Sequence, residues 1–113
     1  MPNFMLTGSE WQPWYAGLAK YLVKADPPGR GLEAGVWKGT PADMPPATRV
    51  KYKRDELIYV VAGRVRIESE NGQVQELGPG EGAHFAAGET VIWTLLSETF
   101  EEFYVYLPRQ ESP

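Results

Sequence analysis

The sequence predicts an all-β sandwich or barrel made of short strands. Glycine (12) and proline (10) are frequent for 113 residues, and they occur in closely spaced groups at 27–29 (PPG), 71–72 (NG) and 78–80 (GPG). Glycine permits a positive φ and proline fixes φ, so such groups are typical of turns. The segments between them are short and rich in β-branched and aromatic residues, which favours strands over a helical bundle.

The first thirty residues give the weakest pattern. Residues 14–24 (WYAGLAKYLVK) allow either an amphipathic helix or an extended arm. DPPGRG at 26–31 is a loop, because two consecutive prolines and two glycines do not continue a helix. A strand is then predicted around Val36 and Trp37.

The strand pattern is clearest from residue 48 onward. TRVKYK at 48–53 alternates charged side chains with Val50 and Tyr52, and RVRIES at 64–69 alternates in the same way. LIYVVA at 57–62 is a continuous run of β-branched, aromatic and other apolar residues, which indicates a strand buried on both sides or at the centre of a barrel.

The second half of the chain continues this architecture. Asn71-Gly72 is a strong hairpin signal, because this pair fits a type I′ turn. QVQEL, GAHFA, TVIWTLL and FEEFYVYL bring the total to about eight strands, with no internal helix. We therefore expect one domain over 1–113, with an N-terminal arm (1–31), a barrel core (32–107) and a C-terminal tail (108–113).

Composition excludes several classes of function. The chain has no cysteine, which excludes disulfides and thiolate nucleophiles, and one histidine, His84, which excludes any intrachain site that needs two imidazoles. A net charge of -4 and a pI near 5.0 argue against nucleic acid or anionic membrane as partners. There is no apolar stretch of roughly 20 residues and no signal-peptide layout at the start, so the expected location is the cytoplasm.

Two segments resemble the two motifs of the cupin superfamily. The first is Glu56-x6-Gly63 within DELIYVVAGRVRI, and the second is GPGEGAHFAAG at 78–88 followed by TVIW. The resemblance covers about Gly35 to Leu107 and implies a double-stranded β-helix, the cupin jelly-roll barrel.

Within the cupins, the chain is most similar to the small subfamily that includes ureidoglycine aminohydrolase and the ethanolamine-utilisation cupin. The similarity is carried by GVWKGTP at 35–41, GETVIW at 88–93 and ETFEEFYVYL at 98–107. It implies a hydrolase or isomerase acting on a small polar, nitrogen-containing or carboxylated metabolite as one possible function. A fold by itself does not imply an activity.

The cupin metal ligands are replaced in this sequence. The resemblance places two histidine ligands near Arg49 and Lys51, and a third at Val91, so that only Glu56 is retained of four possible ligands. Divalent ions prefer neutral imidazole or anionic oxygen, and two cations and a valine reverse the local electrostatics. We therefore expect no metal site and no cofactor.

Glu56 has two interpretations that are not exclusive. In the family this position faces the barrel lumen, which predicts a ligand-contacting carboxylate or a general base. Alternatively, Glu56 forms a structural ion pair with Arg49 or Lys51 on the neighbouring strand, because burying an unpaired carboxylate costs several kcal/mol. Arg49 and Lys51 themselves either line the barrel mouth or belong to an exposed, charged edge.

His84 is expected outside the lumen, because inward-facing Ala83 and Phe85 turn it away. The acidic cluster Glu98, Glu101 and Glu102 is most simply a solvated strand end. No phosphate-binding loop, nucleophile elbow or zinc spacing is present. Covalent catalysis is therefore not indicated.

These residues together predict a pocket with aromatic walls. Trp37 is assigned to the core or the wall, and Tyr52 and Tyr104 add hydroxyl groups. With Arg49 and Lys51 near one carboxylate, we expect a net positive pocket that favours a small anion. The predicted ligand-binding residues are Arg49, Lys51, Glu56, Tyr59, Phe85, Val91 and Trp93, with Glu56 as the one candidate catalytic group.

Three functions remain open at this stage. The favoured one is a metal-free, small-molecule-binding cupin; the others are the hydrolase or isomerase above and a structural or regulatory subunit with a filled barrel. We also expect a homodimer, because strand edges need protection and because Phe4, Trp11, Trp14 and Tyr15 make the N-terminal segment more apolar than a free tail. Cupins that resemble this chain usually pair through outer-sheet faces and exchanged terminal strands.

Overall fold

The computed structural model describes residues 10–14, 16–27 and 30–109, and within them the chain is entirely β-sheet and loop. The strands are β1 (Gln12–Pro13), β2 (Leu18–Val23), β3 (Glu33–Gly39), β4 (Thr48–Lys51), β5 (Glu56–Ala62), β6 (Val65–Ser69), β7 (Val74–Leu77), β8 (Gly82–Phe85), β9 (Thr90–Leu95) and β10 (Phe100–Tyr106). This confirms the all-β class. None of the described segments is a helix able to span a membrane.

The strands form two antiparallel sheets. The larger sheet has the order β1-β2-β3-β10-β5-β8 and the smaller sheet β4-β9-β6-β7. Strands that are distant in sequence are neighbours in space, with β10 between β3 and β5 and β9 between β4 and β6, as in a jelly roll. Inward-facing side chains of both sheets meet in one core that includes Val60, Tyr104, Val65 and Trp93.

The N-terminal segment extends the larger sheet. Of the two alternatives for 14–24, the extended one is observed, since β2 pairs with β3 and β1 pairs with β2. Gly35 makes the pairing of β2 possible, because a Cβ there would lie 2.1 Å from the carbonyl oxygen of Lys20. The two extra strands explain why ten are observed where about eight were expected.

Strand β5 is buried on one face only, which corrects the interpretation of 57–62. Glu56, Ile58 and Val60 face inward, whereas Leu57, Tyr59 and Val61 are 42%, 52% and 46% exposed. Leu57, Tyr59 and Val61, together with half-buried Phe103 and Val105 on β10, form what we call the outer apolar face. Its apolar side chains made the run resemble a strand buried on both sides.

Gly63 ends β5 in a conformation that favours glycine. Its φ is +84°, and a Cβ at this position would lie 2.3 Å from the carbonyl oxygen of Thr99. Gly88 has a similar φ of +91°, but a Cβ there would meet no described atom within 4 Å. The two motif glycines therefore share a backbone requirement and differ in packing.

We predict that Gly63→Ala destabilises the fold more than Gly88→Ala. The free energy of unfolding falls by roughly 1 kcal/mol in both variants, because alanine is strained at positive φ. Only in Gly63→Ala does the new Cβ also clash with the carbonyl oxygen of Thr99. Urea unfolding of both variants measures the difference. Equal losses in the free energy of unfolding would contradict the close approach at Gly63.

Candidate functional site

A cavity of about 540 Å³ lies between the inner faces of the two sheets. Strands β3, β4, β5, β9 and β10 contribute its walls, and the segment before β2 covers part of it. The lining residues are Trp14, Ala16, Glu33, Trp37, Met44, Thr48, Val50, Lys51, Tyr52, Lys53, Arg54, Glu56, Trp93, Glu102, Tyr106 and Arg109. The side chains of the described residues thus leave room for a small molecule, and the volume of the cavity lies within the range of ligand pockets.

Glu56 lies in this cavity, as expected, and is 4% exposed. It is opposite Tyr106 on the neighbouring β10, and Tyr106 in turn is opposite Glu33 on β3. Burial raises the pKa of Glu56 to about 8, although hydrogen bonds from the Tyr106 and Tyr52 hydroxyls act in the opposite direction. The carboxyl group is therefore able to hold a proton near neutral pH.

The buried cation of the site is Arg54, which the sequence did not single out. Its Nη2 atom lies 3.2 Å from Oε1 of Glu33, and its Nη1 donates to the carbonyl of Gly31 at 2.7 Å. The guanidinium also lies 4.6 Å from the ring centre of Tyr106. Removing one partner of such a buried pair typically costs about 3–5 kcal/mol, so Arg54 and Glu33 hold β3 to the segment before β5.

The expected ion pair between Glu56 and Arg49 or Lys51 is not formed. Arg49 faces outward and pairs with Glu70 at 3.2 Å, with both side chains largely exposed. The charge of Arg54 is the one that lowers the pKa of Glu56, against the larger effect of burial. The sequence did not indicate that Arg54 is buried, because residues 52–55 lie between β4 and β5 and are not part of a strand. The inward–outward alternation of β4 therefore does not extend to Arg54.

Glu102 corrects a second expectation, since it is not solvated. It is 4% exposed and lies on β10 opposite Trp37 of β3 and Val60 of β5. Its Oε1 atom has no hydrogen-bond partner among the described residues. The alternation of β10 contained the signal, because Glu102 shares parity with Phe100 and Tyr104, which are both buried.

Burial raises the pKa of Glu102 well above its usual value, and the nearby charge of Glu56 acts in the same direction. Two carboxyl groups that interact in a poorly solvated space do not ionise independently. The cavity therefore contains a pair of acidic groups that favour their protonated forms until a counter-charge enters.

Aromatic side chains line much of the cavity, with Trp93 on β9 of the smaller sheet, Trp37 on β3 of the larger sheet and Trp14 in the segment before β2. The Nε1 atom of Trp93 donates to the Tyr52 hydroxyl at 3.1 Å, and the rings of Trp37 and Trp93 are nearly perpendicular with centres 6.4 Å apart. Trp14 stacks on Tyr104 at 5.2 Å. These contacts fix the orientation of the three tryptophans and give the cavity a rigid apolar wall.

The predicted ligand-binding residues divide into three groups. Glu56, Lys51 and Trp93 line the cavity. Phe85 and Val91 are 3% and 2% exposed and lie in the core behind the wall, where Phe85 stacks on Tyr52. Arg49 and Tyr59 were placed wrongly, since Arg49 faces solvent and Tyr59 belongs to the outer apolar face.

His84 is exposed on the outer side of β8, in agreement with the strand alternation. Its Nε2 atom lies 3.1 Å from Oδ2 of Asp55, whose Oδ1 accepts a hydrogen bond from the backbone N–H of Ala87. The hydrogen bond from the N–H of Ala87 lowers the pKa of Asp55 most, and the hydrogen bond to His84 lowers it further. The arrangement holds the turn after β8 against the segment before β5.

The lining residues do not fit the metal-ion site of other cupins. Of the positions where the resemblance implies ligands, Arg49 faces solvent, Lys51 lines the cavity as a cation, and Val91 is an aliphatic side chain buried in the core. The described residues contain no group of three or more His, Cys, Asp or Glu side chains able to hold a metal ion.

The two sheets, their strand order and the cavity between them define a cupin-type jelly roll. The chain belongs to the family of the EutQ-like cupin domain, whose model matches residues 28–104. This confirms the cupin resemblance. A search of curated proteins finds no match in sequence.

Solved structures show the same fold. A protein of unknown function from Rhizobium leguminosarum is 19% identical with a TM-score of 0.69, and the alignment covers 96% of this chain and 98% of that one. KdgF from Halomonas is 22% identical with a TM-score of 0.72, covering 95% and 94%. The EutQ protein of Clostridium difficile is 19% identical with a TM-score of 0.64, covering 83% and 69%. At these identities the similarity shows the fold alone.

We predict that replacing Glu56 makes stability less dependent on pH. Between its ordinary pKa of 4.5 and about 8, the folded state keeps a proton that the unfolded chain has lost, so wild-type stability falls as pH rises through this range. Glu56→Gln removes this contribution, which is on the order of a few kcal/mol. Urea unfolding at pH 5 and pH 8.5 measures it, with exposed Glu98→Gln as the control. Parallel pH profiles of wild type and Glu56→Gln would contradict the burial of a protonated carboxyl.

Proposed function

We propose that this chain is a small-molecule-binding cupin that works without a divalent metal ion. The observation that carries the proposal is the cavity of about 540 Å³, with buried Glu56 and Glu102 beside Trp37 on the larger sheet and Trp93 on the smaller sheet. Pockets of this kind combine apolar walls with a few polar groups that orient a ligand. The polar groups here are carboxyls and tyrosine hydroxyls rather than imidazoles.

The same cavity bears on the two other functions. A subunit whose barrel is filled by side chains is disfavoured, because the described side chains leave the cavity open. An acid–base enzyme is the second candidate, because the pKa of Glu56, about 8, suits a group that donates and accepts a proton near neutral pH. In that case Glu56 is the candidate catalytic residue and Tyr106, its hydrogen-bond partner, positions it.

The proposal predicts that ligand binding survives chelation. We expect compounds from a metabolite panel to raise the melting temperature of chelator-treated protein, because binding to the native state stabilises it by mass action. Val50→Trp fills the cavity from β4 and should reduce these shifts, whereas Val74→Trp on exposed β7 should leave them unchanged. Near-stoichiometric manganese, iron, nickel or zinc in protein purified without added metal would overturn the metal-free site.

We further propose that the protein is a homodimer that pairs through the outer apolar face. Leu57, Tyr59 and Val61 are exposed together on β5, and such a continuous apolar area is typical of an interaction surface. The aromatic residues of the N-terminal segment lend less support to a dimer. Trp14 lies over the cavity and Trp11 packs on Lys20 and Lys38, while Phe4 and Tyr15 lie outside the described residues.

The dimer is tested by introducing a charge into the outer apolar face. In light scattering at micromolar concentration we expect wild type at twice the chain mass of 12.6 kDa and Tyr59→Lys at the mass of one chain, because a buried, unpaired lysine opposes association. Val74→Lys, an exposed valine on the smaller sheet, is the matched control. A wild-type species of one chain mass would contradict the dimer.

A further inference from the structure

Among the described residues, Glu102 has a buried side-chain oxygen that lacks a hydrogen-bond partner. A carboxyl group that is 4% exposed needs partners for both oxygens, yet Oε1 has none among the described residues. Buried polar groups in folded proteins are nearly always hydrogen-bonded, and an exception calls for a physical reason. The other buried charges nearby are satisfied, since Glu33 accepts from both Arg54 and the Tyr104 hydroxyl.

Glu102 lines the cavity, although Oε1 itself is turned away from it, so a bound molecule supplies the missing partner once the carboxyl group rotates towards the cavity. Glu56 lines the same cavity, and its charge acts on Glu102. An anion placed between them would add a further negative charge, whereas a cation attracts both carboxylates. The nearest buried cation, Arg54, is already engaged by Glu33 and the Gly31 carbonyl.

The remaining walls also favour a cation. Trp37 and Trp93 present indole rings to the cavity in a fixed, nearly perpendicular arrangement. The face of an aromatic ring carries partial negative charge and attracts a cation within about 6 Å of its centre, most strongly in a desolvated site. The cations other than Arg54 that line the cavity, Lys51, Lys53 and Arg109, are solvent-exposed, so they compensate the buried carboxyls less than a buried cation would.

We infer that the cavity binds a small organic cation with N–H donors, a protonated primary or secondary amine, whose nitrogen donates to Oε1 of Glu102 and whose carbon skeleton lies against Trp37 and Trp93. The inference rests on the proposed small-molecule site and names the ligand class for it. It replaces the small anion expected from Arg49 and Lys51, because Arg49 faces solvent and because the sequence did not reveal the buried position of Glu102. An N–H-bearing amine satisfies Oε1, which a quaternary ammonium does not.

The test compares three probes of nearly equal shape on chelator-treated protein at neutral pH: benzylamine, benzyl alcohol and benzoate. Binding is followed by tryptophan fluorescence and calorimetry. We expect benzylamine to bind most tightly in wild type. Glu102→Gln should lower the affinity for benzylamine by about tenfold or more, which is the effect of losing a charge-assisted hydrogen bond. The affinity for benzyl alcohol should stay unchanged.

Glu101→Gln is the matched control, since this neighbour lies on the opposite face of β10 and should not change the affinity of any probe. Benzoate or benzyl alcohol binding as tightly as benzylamine in wild type would overturn the inference and leave the small-molecule site standing. Equal losses of benzylamine affinity in Glu102→Gln and Glu101→Gln would also overturn it. Absence of binding by all three probes, together with no stabilisation by the metabolite panel, would overturn both this inference and the proposed function.

Discussion

The position of β10 between β3 and β5 determines what faces the cavity. Strand alternation then places Phe100, Glu102, Tyr104 and Tyr106 on the inner side. A shift of one residue in this register would turn Glu102, Tyr104 and Tyr106 towards solvent. It would bring Phe103 and Val105 inside instead. The acidic character of the site and the apolar character of the outer face therefore have the same origin, the pairing of one strand with its two neighbours.

The acidic side chains of the inner face differ in how fully their charges and hydrogen bonds are compensated. Glu33 is compensated by Arg54 and by the Tyr104 hydroxyl, so that corner of the fold is a satisfied structural network. Glu56 receives hydrogen bonds from two tyrosines but no direct cation, and Glu102 retains one oxygen without a partner among the described residues. Of these three acids, Glu102, the neighbour of Trp37, is the one that retains an unpartnered oxygen among the described residues.

The sequence predicted part of the site. The cupin resemblance placed Glu56 on the inner side correctly, and Lys51 and Trp93 also line the cavity as predicted. Tyr59 was placed in the pocket with Glu56, although three residues along a strand reverse the face. Arg54 lies in a turn, where no periodicity applies, and Glu102 was grouped with Glu98 and Glu101 because charge alone was considered instead of parity with Phe100.

The sequence by itself determined the all-β class, the turns, the cupin motifs and the loss of the imidazole ligands, because these depend on local backbone preferences and on which residue types are present. The tertiary structure decided which acids are buried, which cation compensates them and which apolar residues remain exposed. Those properties arise where strands distant in sequence, β3, β5 and β10, become neighbours. The pKa of a carboxyl depends on the solvent and charges around it, and no local pattern in the chain encodes that environment.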